Sequence, residues 1–157
     1  MNDKPRKADE TKALSRMANL CARREYCVFD IKTKLIRYDL DKVAIDRIIE
    51  QLKKDRYIDE LRFTRSFIND KVQFNKWGKI KIDFALRQKY IPQSIISEAF
   101  LDFSDEQLNE SLEALLSAKW KTIKGKTEHD KRTKLIRFGL GRGFEMSNIL
   151  AFIDKVR

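Results

Sequence analysis

The sequence predicts an all-α fold: three tandem three-helix repeats, stacked into an elongated, curved array. Apolar residues recur at helical spacing in segment after segment. Only five Gly and two Pro are present, too few for the many tight turns of an all-β chain. The apolar pattern also repeats with a period of about fifty residues, as repeat architectures require. A chain of 157 residues that is 42% hydrophobic is large enough to bury the core of such an array.

The individual helices follow from their apolar stripes and their capping residues. The polar start, residues 1–11, is predicted to be a disordered tail, and Ala13, Met17 and Cys21 mark the buried face of the first helix after it. The polar stretch 120–130 is predicted to be the longest loop. The second and third helices are predicted to span 28–38 and 41–54, and the fourth to start at Asp59. A later helix has Pro92 in its first turn, and the next starts at the capping box of Ser104 and Gln107. The last two helices are predicted on either side of Gly143.

Alignment of three turns shows the internal repeat. When Leu40, Ile91 and Phe144 are superposed, apolar residues coincide five positions later and nine positions earlier. The predicted units are residues 12–57, 58–103 and 104–157 of a single array. The segments KTKLIRYDL and RTKLIRFGL instead match at a shift of 100, not 104, so the middle helix of unit three is predicted to be one turn longer.

Charge indicates the class of partner. The chain has 34 Lys and Arg against 24 Asp and Glu, a formal net charge of +10, which favours a polyanion, although it also suits a merely soluble surface. Under the repeat alignment, three basic residues of unit two superpose on three of unit three, and stacked units are expected to place the middle helices side by side. The resulting basic stripe is the predicted site, with Lys-rich solvated faces as the alternative. Its members are Lys32, Lys34, Arg37, Lys79, Lys81, Arg87, Lys89, Arg132, Lys134, Arg137 and Arg142.

No other motif indicates chemistry. The GLGRG segment follows no strand and precedes no Gly-Lys-Ser/Thr, so Gly143 is interpreted as a left-handed helix cap and Gly139 as a site of close helix packing. His129 is interpreted as a solvated loop residue. With one His and two Cys, neither a metal nor another cofactor is expected, and buried thiols are favoured. No apolar run is long enough to span a membrane.

Several other residues have two interpretations. Asp59 and Glu60 are adjacent carboxylates, for which helix capping is favoured over acid–base chemistry because neighbouring helical side chains diverge. Trp77, Tyr90 and Trp120 can stack on bases, but packing at unit junctions is favoured.

Four segments along the chain carry a family resemblance: ARREYCVFDIKTKL at 22–35, YIDELRFTRSF at 57–67, GKIKIDFALRQKYI at 78–91 and RGF at 142–144. Their order and spacing together resemble the bacterial RecX family. Cys27 stands where that family usually has Ser, Asp39 and Tyr90 where it has turn glycines, and Gly139 where it has an apolar residue.

The resemblance implies a monomeric, non-enzymatic protein of the bacterial cytoplasm that binds the RecA recombinase filament on DNA. It implies inhibition of RecA's ATP hydrolysis and strand exchange, and so a part in DNA repair, recombination and the SOS response. Weak, sequence-independent binding to single-stranded DNA is expected from the basic stripe. The alternative is a stand-alone DNA-binding regulator of the helix-turn-helix kind, which would need one recognition helix with side chains directed at base edges.

Overall fold

Helices connected by short turns make up the protein. The computed structural model describes residues 7–155 and contains no strand among them, so the all-α prediction is confirmed. Within that range no helix has both the length and the apolar content to cross a membrane. The helices are α1 Lys7–Arg23, α2 Val28–Leu35 with a 3₁₀ turn Ile36–Tyr38, α3 Lys42–Lys54, α4 Glu60–Asp70 with a π-helical turn Lys71–Asn75, α5 Lys79–Gln88, α6 Gln93–Phe100, α7 Asp105–Leu108, α8 Leu112–Thr122, α9 Glu128–Gly141 and α10 Met146–Lys155.

The predicted disordered tail, residues 1–11, is wrong over its second half. Helix α1 already begins at Lys7, and residues 1–6 lie outside the described part of the chain. Asp9 and Glu10 lie in the first turn of α1, where a carboxylate favours the positive end of the helix dipole. Both oxygens of Glu10 accept hydrogen bonds from Arg47 on α3, at 2.8 and 3.0 Å. The Glu10–Arg47 pair therefore holds the start of α1 against α3.

Three hydrophobic clusters follow one another along the chain. The first lies among α1, α2 and α3, the second mainly among α4, α5 and α6, and the third among α8, α9 and α10. The structure therefore has three tandem three-helix repeats, as predicted. Cys27 and Leu108 both pack in the second cluster, and Ile58 packs in the first, so adjacent units exchange core residues.

Most predicted helix ends are confirmed. The carboxylates of Asp41 and Asp59 accept the N–H of Ala44 and Arg62, and Ser104 forms its capping box with Gln107. Pro92 directly precedes α6 and is not part of its first turn.

The predicted loop at 120–130 is much shorter in the structure. Helix α8 continues to Thr122 and α9 starts at Glu128. The early start of α9 has a local cause, since the Thr127 hydroxyl accepts the Asp130 N–H at 3.1 Å.

The predicted extra turn in the middle helix of unit three is confirmed. Helix α9 has 14 residues, against 10 in α5 and 8 in α2 before its 3₁₀ turn. Gly139 lies inside α9 and is buried. A Cβ at Gly139 would lie 2.7 Å from the Cδ1 of Ile149, so the glycine permits the close approach of α10 that the sequence suggested.

Cys27 is fully buried, and we expect its thiol to be nearly inert in the native protein. Burial raises the pKa of the Cys27 thiol from 9.0 to about 12. Because the thiolate is the nucleophile, native Cys27 should react with iodoacetamide at pH 8 about 1,000-fold more slowly than in the urea-unfolded chain. The unfolded thiol ionises first, so its contribution to stability is intact below about pH 9 and is lost as the pH rises towards 12. Mass spectrometry of the Cys27 peptide measures the rates, and equal rates in both states would contradict the burial.

Candidate polyanion-binding surface

The three middle helices, α2, α5 and α9, do not lie side by side as the sequence analysis expected. Within residues 7–155, neither α2 and α5 nor α5 and α9 share an extended contact. Successive middle helices meet instead at their ends. The N–H of Gly78, before α5, donates to the carbonyl of Arg142, after α9, at 2.8 Å, and Ile80 donates to Gly143 at 3.0 Å. Units two and three are therefore joined backbone to backbone.

Units one and two meet at the same repeat positions as units two and three, but they are joined through side chains. Lys89, at the end of α5, forms an ion pair with Asp30 of α2, with Nζ and Oδ1 2.6 Å apart. The rings of Phe29 and Tyr90 lie 5.5 Å apart, centroid to centroid. Under the repeat alignment Tyr90 corresponds to Gly143, and both have positive φ, 58° and 91°. A tyrosine keeps the backbones apart, so side chains join these two units.

A partly buried carboxylate, that of Glu60, supports the same joint. Glu60 Oε1 accepts the N–H of Val28 at 2.9 Å, so it caps α2 from the next unit. Burial raises the pKa of the Glu60 carboxyl, because the charged form is less well solvated there. Asp59 caps its own helix, so the interpretation of the Asp59–Glu60 pair as capping residues is confirmed for both.

Two members of the predicted basic stripe are thus occupied at joints. Lys89 is bound to Asp30 and is only 29% exposed in its side chain. Arg142 Nη2 lies 3.4 Å from the carbonyl oxygen of Asn75, and its Nε is buried. Lys89 and Arg142 occupy the same repeat position because, in each case, this position lies where one unit contacts the next. Both side chains therefore already have partners within the protein.

The stripe residues of units one and two are mostly exposed, and most of them contact a neighbouring side chain. Lys32 lies 3.9 Å from Asp46, and Arg87 forms an ion pair with Asp83 one turn earlier, at 3.0 Å. Arg37 is exposed. The three remaining ammonium groups lie over aromatic rings, each about 5 Å from the centroid. These pairs are Lys34 with Tyr26, Lys79 with Phe100, and Lys81 with Trp77.

Unit three contains the densest group of cations. Lys134 and Arg137 line an open depression of about 730 Å³ together with Lys124 and Lys126 from the turn before α9. Asp130 is the one acidic residue among those that line it. Lys134 Nζ donates to the carbonyl oxygen of Lys124 at 2.5 Å, which holds the turn against α9. Lys124 and Lys126 were not among the residues predicted from the sequence, although the KGK segment around Gly125 was a signal for them.

A second cavity lies between α8, α9 and α10. It has a volume of about 690 Å³ and an apolar lining that includes Trp120, Leu135 and Phe152. Arg132 from the predicted stripe and His129 also line it. His129 is exposed, as expected, but it lies in the first turn of α9 and not in a loop.

The aromatic residues considered for base stacking are distributed differently. Trp77 packs against the second cluster, and the ammonium groups of Lys71 and Lys81 lie over its ring. This agrees with the interpretation of Trp77 as a packing residue. Tyr90 contacts Phe29 yet is 79% exposed. Several exposed apolar residues of the middle helices were not predicted either, because they lie outside the spacing that marks a buried helix face.

Comparison with known proteins identifies the family. A family model described as "RecX, second three-helix domain" matches residues 59–99, and one described as "RecX, third three-helix domain" matches residues 105–153. The chain belongs to the RecX family. The matched segments lie within the second and third predicted units. They contain Lys89 of the joint between units one and two, and Gly78 and Arg142 of the joint between units two and three.

Relatives extend the RecX match to nearly the whole chain. A protein named "Regulatory protein RecX" from Prosthecochloris aestuarii is 31% identical over 149 residues, covering 95% of this chain and 96% of its own. Another of that name from Chlorobium phaeobacteroides is 32% identical over 148 residues, covering 94% and 95%. These matches make the chain a member of a family of regulatory proteins.

Solved RecX structures share the fold. A crystal structure of regulatory protein RecX superposes with a TM-score of 0.84 at 24% identity, covering 93% of this chain and 73% of that one. RecX from Lactobacillus salivarius superposes with a TM-score of 0.81 at 20% identity, covering 94% and 96%. The three-unit array is therefore the RecX fold.

Proposed function

We propose that this RecX protein binds the RecA filament on DNA and inhibits its ATP hydrolysis and strand exchange, without catalysis and without a cofactor. Membership of the RecX family along almost the full chain carries the proposal. The formal net charge of +10 supports a nucleoprotein partner. We further propose that it acts as a monomer in the bacterial cytoplasm, where RecA and DNA are found.

The DNA part of the contact is proposed to be weak and independent of sequence. The depression formed by Lys124, Lys126, Lys134 and Arg137 offers four cations to phosphates, with no arrangement for reading base edges. Other exposed members of the stripe, such as Arg37 and Arg87, add charge on units one and two. Basic residues spread over three units favour backbone contact over a single recognition helix.

The proposal is tested by ATP hydrolysis in filaments assembled beforehand on excess single-stranded DNA. We expect substoichiometric protein to slow hydrolysis by the cognate RecA, because one bound molecule can block filament growth or span several subunits. Changing Lys124, Lys126, Lys134 and Arg137 to Gln should raise the concentration for half-inhibition about tenfold. It should also flatten the log–log salt dependence of single-strand binding by up to about 3, since each neutralised phosphate contributes about 0.7.

A matched control separates local from total charge. Lys12, Arg23, Lys42 and Lys54 are exposed outside the depression, and their change to Gln removes the same four charges. This variant should inhibit nearly as well as the wild type. Inhibition that disappears whenever DNA is in excess would indicate simple DNA sequestration by a stand-alone DNA-binding protein. No inhibition at any ratio would refute the proposed function. Lys89 and Arg142 are unsuitable for this test because they hold the joints.

A further inference from the structure

The apolar cavity between α8, α9 and α10 adjoins a cationic depression, the one lined by Lys124, Lys126, Lys134 and Arg137. The cavity has a volume of about 690 Å³, which lies in the range of pockets that hold small molecules. His129, in the first turn of α9, lines both sites. Further along α9, Arg132 and Leu135 line the cavity, whereas Thr133 and Lys134 line the depression. The two sites are therefore contiguous, on adjacent faces of one helix.

The wall of the cavity includes an aromatic ring that is only partly covered. Leu135 and Ile153 are buried and line the cavity together with Phe152. Trp120, one of the residues considered for base stacking, also lines it and is 36% exposed. Lys131 Nζ lies 5.9 Å from the centroid of the Trp120 ring, but Lys131 is not among the residues that line the cavity. A different part of the indole is therefore open to a planar ligand.

The charged residues around this apolar wall favour an anion. Lys121 and Arg132 line the cavity, and Glu128 is the one acidic residue among those that line it. Within residues 7–155, neither Lys121 nor Arg132 forms an ion pair. The cavity and the depression together are lined by six Lys and Arg against two acidic residues. This excess favours a polyanion that extends from one site into the other.

A nucleotide within a single strand combines the two kinds of chemistry. Its base offers planar apolar faces for stacking, and each neighbouring nucleotide adds one phosphate charge. Stacking needs only a π face, which every base has, so it fits the weak, sequence-independent binding expected of this chain. A base inside a duplex is covered by its neighbours in the stack and must first be extruded, at a cost in free energy. The cavity therefore favours unpaired bases.

We propose that the cavity of unit three takes one unpaired base of single-stranded DNA, stacked on Trp120, while neighbouring phosphates lie in the cationic depression. The inference rests on the proposed function, under which the chain meets such a strand. Lys121 and Arg132, which line the cavity itself, are assigned to the phosphates that flank the inserted base. The site thus adds a contact that depends on a base to one that depends on charge alone.

The test compares two oligonucleotides that differ only in their bases. One is an oligothymidylate of about twelve nucleotides, within the usual site sizes of single-strand binders. The other is an abasic strand of the same length, with the same phosphates. Both are end-labelled, and fluorescence anisotropy measures their binding to the wild type and to Trp120→Leu, which keeps an apolar side chain without the π face. Phe74→Leu is the matched control, because Phe74 is 79% exposed and lies outside the cavity.

We expect the wild type to bind the oligothymidylate about tenfold more tightly than the abasic strand, because one stacked base adds to the phosphate contacts. Trp120→Leu should lose most of this preference, while its affinity for the abasic strand stays within about twofold of the wild type. Phe74→Leu should behave like the wild type. Circular dichroism verifies that both variants remain helical. A Trp120→Leu protein that keeps the full preference for the oligothymidylate would overturn the proposal.

The fluorescence of Trp120 gives a second measurement that leaves the cavity unchanged. The chain has two Trp residues, so Trp77→Phe makes Trp120 the single tryptophan. The oligothymidylate should quench its emission by about half, because the indole is then in contact with a base. The abasic strand and a duplex should leave the emission nearly unchanged, since neither offers an unpaired base. Equal quenching by either of them would contradict the proposal.

Other outcomes separate this inference from the proposed function. If Trp120→Leu binds RecA–DNA filaments weakly but keeps normal affinity for both strands, the cavity takes a protein side chain and the proposal is overturned. A wild type that binds neither strand would refute the DNA contact of the proposed function together with the inference. A wild type that binds both strands equally, with no change in Trp120 emission, refutes the inference alone.

Discussion

Replacing Gly78 by Ala is expected to lower the free energy of unfolding by about 3 kcal/mol, a large change for one methyl group. Gly78 has φ −83° and ψ 168°, a conformation open to any residue, so the cost is not conformational. A Cβ there would lie 2.5 Å from the amide nitrogen of Phe144 and closer still to the carbonyl group of Gly143. These are backbone atoms, which cannot move aside like a flexible side chain. The joint must open, and the hydrogen bond from Gly78 to Arg142 is then lost.

Gly141 provides the control for this substitution. It lies near the end of α9, and a Cβ added there meets nothing within 4 Å. Gly141→Ala should therefore stabilise the protein by up to about 1 kcal/mol, the usual gain in helix propensity. Urea unfolding followed by circular dichroism gives both values, and hydrogen exchange should show lost protection at the amides of positions 78 and 80 in the Gly78 variant only. If the two variants unfold alike, units two and three are not joined as closely as described.

The contrast between these glycines shows how far the sequence could predict the fold. Helix spacing and the caps at Asp59 and Ser104 are local patterns, so they were predictable. The left-handed position of Gly143 was also predictable, because glycine after a helix is a local signal. The need for glycine at position 78 was not, since it arises from a contact with a residue 65 positions away.

The candidate site was less predictable than the fold. Recurrence across repeats marked Lys89 and Arg142 as phosphate contacts, but equivalent positions in an array also meet at equivalent joints. The charge pattern alone cannot distinguish a phosphate contact from a contact between units, because in a single unit considered by itself both kinds of residue lie on the surface. Exposed apolar residues of the middle helices were not predicted for a related reason. Phe84 and Ile36 are apolar, and only the assembled units show that they face away from the core.

Replacing Lys89 by Glu is expected to destabilise the joint between units one and two by about 3 kcal/mol. The Lys89–Asp30 pair is partly buried, with side chains 29% and 18% exposed, so removing one partner leaves a poorly solvated charge. Lys89 Nζ also lies about 6 Å from the ring centroids of Phe29 and Phe63. The substitution places two carboxylates together and removes the cation from both rings. Lys89→Met, which removes the charge without repulsion, should cost less.

A charge exchange tests whether the pair itself is responsible. Adding Asp30→Lys to Lys89→Glu restores opposite charges and should recover about half of the lost stability, a coupling that a double-mutant cycle measures. Recovery is incomplete because the Asp30 carboxylate also accepts the N–H of Cys27 at 3.3 Å, a bond that lysine cannot replace. Lys89→Met should leave single-stranded DNA affinity within about twofold of the wild type, since the Lys89 ammonium group is paired with Asp30. Weakened DNA binding with unchanged unfolding would return Lys89 to the phosphate-binding surface and leave the joint without its ion pair.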